Sequence, residues 1–144
     1  MANRIRIAAT AQYRKEAPAL AVIGPGMILE RSAATFTPHA TDGSRPNLIL
    51  VAEENALEGE DLDTSYAIGD RVYARVYHEG DEFYARLEAG EIVALNGGLI
   101  STGTGDLRAV TSGETPNFMA REAADNSATG TTTKAWLHVE VLGN

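Results

Sequence analysis

The feature that most constrains this chain is a succession of short, strand-length apolar runs separated by turn-forming residues, without sustained helical periodicity. The clearest run comes after Gly69-Asp70. Val72, Ala74 and Val76 alternate with Arg71, Tyr73, Arg75 and Tyr77, so one face is apolar and the other carries arginine and tyrosine. His78-Glu79-Gly80-Asp81 supplies a turn and residues 82–87 return as a second strand, which predicts a hairpin. Residues 47–52 are nearly all apolar, the pattern of a strand buried on both faces. Residues 92–95, the turn Asn96-Gly97-Gly98 and Leu99-Ile100 predict another strand–turn–strand unit. In the last strand Ala135, Leu137, Val139 and Val141 alternate with Trp136, His138 and Glu140. Strands and turns at this spacing predict an all-β fold, a small β-barrel or sandwich, formed as one domain over residues 26–144.

Residues 1–25 read differently. Arg4-Ile5-Arg6-Ile7 has the alternation of a strand, but its continuation to Tyr13 is alanine-rich and the segment runs into Gly24-Pro25-Gly26, with no core of its own. The expectation is an extended N-terminal arm. Net charge is −8, yet Arg4, Arg6, Arg14 and Lys15 precede the first acid, Glu16. A basic arm on an acidic body points to an acidic protein surface as its target, and away from nucleic acid, whose phosphates would repel the body. Glu53, Glu54, Glu58, Glu60, Asp61 and Asp63 form an acidic block with no lysine or arginine among them. It reads as a solvated segment or as a dock for something basic.

Catalytic and metal chemistry find little footing. Without cysteine there are no disulfides, thiolate zinc sites or thiol nucleophiles. His39, His78 and His138 have neither ligand spacing nor a nucleophile elbow beside them. Asp61, Asp63 and Ser65 begin like a calcium loop, but Tyr66 stands where glycine is required and Val72 where glutamate is. Gly103-Thr104-Gly105 precedes a strand rather than a helix and has no lysine after it, so it reads as a turn. No apolar run is long enough for a membrane helix. The expectation is a protein that is not an enzyme and uses no cofactor, metal, nucleic acid or membrane. Arg71, Tyr73, Arg75, Tyr77 and Trp136 are candidates for a subunit interface, where these residue types are enriched.

Residues 58–60 through 70–72, then 80–85, 92–99, 106–107 and 135–139, resemble in order the strand-and-turn pattern of tailed-bacteriophage capsid decoration (cement) proteins. The likeness covers about residues 47–142. It implies a tulip-like β domain, made in the host cytoplasm, that binds the outer capsid surface of the virion as a homotrimer and bridges capsomers. The partners it implies are the major capsid protein and further copies of the chain. Its N-terminal arm would hold the capsid or a neighbouring subunit through Arg4, Ile5, Arg6, Ile7, Tyr13 and Arg14. The alternative reading is a virion-surface display module that recognises a glycan or receptor, for which Trp136 near Glu140 is the candidate.

Overall fold

The computed structural model describes residues 4–8, 14–128 and 135–143. The described chain is built of strands, with one 3₁₀ turn at Ala56–Glu58. The strands are β1 (Arg6–Ala8), β2 (Arg14–Pro18), β3 (Ile28–Ser32), β4 (Thr35–Pro38), β5 (Ile49–Ala52), β6 (Arg71–Tyr77), β7 (Glu82–Leu87), β8 (Ile92–Val93), β9 (Gly98–Ser101), β10 (Leu107–Ala109), β11 (Phe118–Ala120), β12 (Ala124–Asp125) and β13 (Ala135–Val141). The all-β barrel expected from the sequence is what forms, and it forms twice.

In the first barrel β7, β10, β9, β11 and β13 pair in that order, and β13 pairs back onto β7. The long β7–β13 ladder is antiparallel, from Ala135–Leu87 to Glu140–Glu82, and the ring closes through the parallel pair Leu107–Leu87. β1 lies along the other edge of β7. In the second barrel the order is β2, β6, β5, β3, β4, and a parallel bridge between Ala19 and Phe36 brings the two edge strands together. Ring closure removes most of the unpaired edge that an open sheet presents.

β5 shows why the barrels stay together. Ile49 and Val51 enter the core of the first barrel, while Leu50 and Ala52 enter the core of the second. The strand is buried on both faces, as its unbroken apolar sequence predicts.

The expected hairpin between β6 and β7 does not form, because each strand pairs within a different barrel. Val76 packs in the second core and Tyr77 in the first. Turn 78–81 therefore carries the chain across from one barrel to the other. The Asp81 side chain, turned inward, accepts the His78 amide at 2.8 Å. Residues 92–100 likewise make the expected turn, with Asn96 at φ 66°, but β8 pairs with β12 and β9 with β10 and β11.

The N-terminal segment also differs from the expected arm. Ile5 is 0% exposed within the first core, β1 is hydrogen-bonded to β7, and β2 runs along β6 from Arg14–Arg75 to Pro18–Arg71. Ala17, Ala19 and Ile23 complete the second core. Alanine-rich sequence is poor at forming a core alone, but its small side chains fit where a barrel wall is closing. The described part of residues 1–25 is thus woven into both barrels.

Candidate docking surfaces

The β2–β6 register decides which side chains share a surface. Paired residues point to the same side of a sheet, so Arg14, Glu16 and Pro18 stand beside Arg75, Tyr73 and Arg71. The Arg14 guanidinium lies 4.3 Å from the centre of the Tyr73 ring. Arg75 Nε meets Glu53 Oε1 at 3.1 Å. Arg4, Arg6, Arg14 and Arg71 are exposed and Tyr73 is half-buried. The structure thereby brings Arg14, from the basic N-terminus, onto the arginine–tyrosine face of β6. Tyr13 lies outside the described residues.

Tyr77 does not belong to this surface. It is 2% exposed, its ring centroid is 4.7 Å from that of Phe83, and burial pushes its hydroxyl well above the ordinary phenol range. Strict alternation ends at Val76-Tyr77, where the chain leaves one core for the other. Trp136 is half-buried elsewhere, packed against the first core, with the Arg86 guanidinium 5.6 Å from its ring centre. The five expected interface residues are therefore three on one face, one in the core and one in a separate packing site.

The histidines are also engaged. His39 Nδ1 and Ser101 Oγ lie 2.7 Å apart in a buried contact between the two barrels, and desolvation lowers the His39 pKa, opposed by Glu30. His138 Nε2 is 2.7 Å from Glu82 Oε1. The Asp61 carboxylate, weighed as a cation ligand from the sequence, accepts the Asp63 amide and the Thr64 hydroxyl at 3.0 and 3.2 Å. Among the described residues no cluster of histidine, aspartate and glutamate is arranged to hold a metal, and no helix is long and apolar enough to cross a membrane.

Two further surfaces escaped the sequence reading. A groove of about 510 Å³ opens at one end of the second barrel, with Lys15, Arg31, Arg45 and Leu48 in its wall and Leu29, Phe36 and Leu50 behind it. Glu30 is its acid. At the opposite end, segments 19–23 and 66–70 are joined by backbone bonds from Ala19 to Asp70 and from Ile23 to Tyr66. They leave Leu20, Val22 and Ile68 exposed. Lys15, Arg31 and Arg45 are far apart in sequence, and barrel closure is what groups them.

No family model matches the chain, and no curated protein does. Among solved structures the chain is similar to the head fiber gp8.5 N base of bacteriophage phi29, with a TM-score of 0.59 and 12% identity, covering 91% of this chain and 94% of that one. At that identity the likeness establishes a shared fold, and it spans both barrels.

Proposed function

We propose that this chain is a structural protein of a tailed-phage head, a decoration protein that docks on the outer surface of the expanded capsid as a homotrimer and bridges capsomers. The observation that carries this reading is the near end-to-end fold likeness to a head fiber base. A double barrel is a shared architecture that serves more than one use, and the surfaces argue for docking over catalysis. The exposed Arg14 and Arg71 beside Tyr73 form a cationic, aromatic face on a chain whose net charge is −8. Such a face suits an acidic patch on the major capsid protein. Binding the expanded shell in preference to the compact one stabilises expansion by mass action, and linked subunits add avidity.

The test is decoration of isolated heads of the phage that encodes the chain, compact and expanded, followed by sedimentation. Saturable binding to expanded heads only is the expected result, weakened by Arg14→Glu/Arg71→Glu. Failure to bind either form refutes the proposal. Point substitutions are preferable to removing the N-terminus, because Ile5 is part of the core.

A further inference from the structure

The two ends of the second barrel are complementary. At one end Lys15 and Arg31 are exposed and have no acidic partner among the described residues. Arg45 shares their groove and directs Nη1 to the Leu142 carbonyl at 2.9 Å. Strand alternation fixes the placement of the first two. Lys15 is two residues from the core residue Ala17, and Arg31 two from the core residue Leu29, so both continue inward-facing rows to the mouth of the barrel. Leu48 extends the row of Leu50 in the same way. The mouth is therefore cationic at its rim and apolar within, with Glu30, which accepts the Ala40 amide, as its acidic group.

β5 leads away from this mouth and delivers the chain, after Ala52, into the acidic block at the far end. There the 3₁₀ turn holds Leu57 outward at 71% exposure. Glu58, Glu60, Asp61 and Asp63 follow it in sequence and have no basic partner among the described residues. An exposed leucine followed by a run of carboxylates thus stands against an apolar groove with Lys15, Arg31 and Arg45 at its rim. β5, about 13 Å long at its four residues, separates the Arg31–Leu48 side of the groove from the block, and no ion pair joins the two among the described residues.

We infer that the knob of one copy, residues 54–63 centred on Leu57, docks in the Lys15–Arg31–Arg45 groove of the next. The contact is heterologous, joining different patches on the two copies, and closes into a ring when the rotation between copies permits. This rests on the proposed homotrimer and assigns its interface. Like-charge repulsion between bodies of net charge −8 is relieved where the cationic mouth takes up the densest acidic segment.

The experiment is sedimentation velocity over a concentration series, on wild type, Lys15→Glu/Arg31→Glu, Glu60→Lys/Asp63→Lys and the fourfold combination, with circular dichroism to establish folding. Wild type assembles, each pair weakens assembly at least about tenfold, and the fourfold chain, its charges exchanged, assembles again. A monomeric wild type overturns the inference, as does a folded fourfold chain that stays monomeric. Monomeric wild type that takes a shell protein into the groove gives it another occupant, and also overturns it. Head binding is read separately: a monomer that decorates expanded heads removes this interface and the homotrimer but leaves shell decoration, while assembly without decoration does the reverse.

Discussion

The Arg86 side chain lies between the turn at residues 24–26 and the ring of Trp136, its guanidinium 5.6 Å from the ring centre. Both glycines of the turn are needed for that approach. A Cβ on Gly24 would collide with Arg86 Nη1, and one on Gly26, at φ 85°, would stand 2.5 Å from Trp136 Cζ3.

Gly26→Ala is therefore expected to be destabilising by about 2–4 kcal/mol, combining a strained left-handed backbone with overpacking. Urea unfolding tracked by Trp136 fluorescence measures it. Gly59→Ala is the comparison, since a Cβ there meets nothing within 4 Å and only the backbone cost remains.

Tyr77→Phe is expected to be neutral or stabilising by up to about 1–2 kcal/mol. The buried hydroxyl has no hydrogen-bond partner among the described residues, so its removal lifts a desolvation penalty. If Tyr77 were an interface residue the substitution would weaken assembly. Unfolding and sedimentation on the same variant separate the two roles.

Ile5→Ala is expected to cost about 2–5 kcal/mol, because the side chain is wholly buried in the first core. A loss confined to capsid binding, with unfolding unchanged, would instead mark a free arm.

His39 carries a sign that can be checked. Its folded pKa is lowered from 6.5 by burial, so below pH 6.5 the unfolded chain takes up the proton before the folded one does. Stability from this group is complete above that pH and falls as the solution is acidified toward the folded pKa. In His39→Gln this step should vanish. Glu114 acts in a separate window: bonded by Arg108 at 2.6 Å, its pKa is held down to about 2 from 4.5. Its contribution is present above 4.5 and is lost between 4.5 and about 2. Melting temperatures across both windows, for His39→Gln and Glu114→Gln, distinguish them.

Strand identity was largely legible because it depends on alternation, a local property. β5, β6, β7 and β13 lie where their patterns place them. Pairing was less legible. Turn 78–81 has the composition of a hairpin, and the sign that it is a crossover is the adjacent burial of Val76 and Tyr77. β4 went unread because its hairpin turns through Ala33 at φ 52°, where glycine or asparagine would have signalled it. The cationic mouth was invisible for a different reason. Lys15, Arg31 and Arg45 belong to separate segments, and only ring closure makes them neighbours.

The position of β7 has a consequence for biosynthesis. One of its edges receives β1, the first strand among the described residues, and the other receives β13, the last among them. Until residues 135–141 emerge from the ribosome, the first ring stands open on the side that Leu137, Val139 and Val141 will fill. Completion of that core waits for β13, and the many pairings between distant segments make it slow for a chain of this size. A nascent chain stalled before residue 135 would expose the β7 edge as a ready template for aggregation.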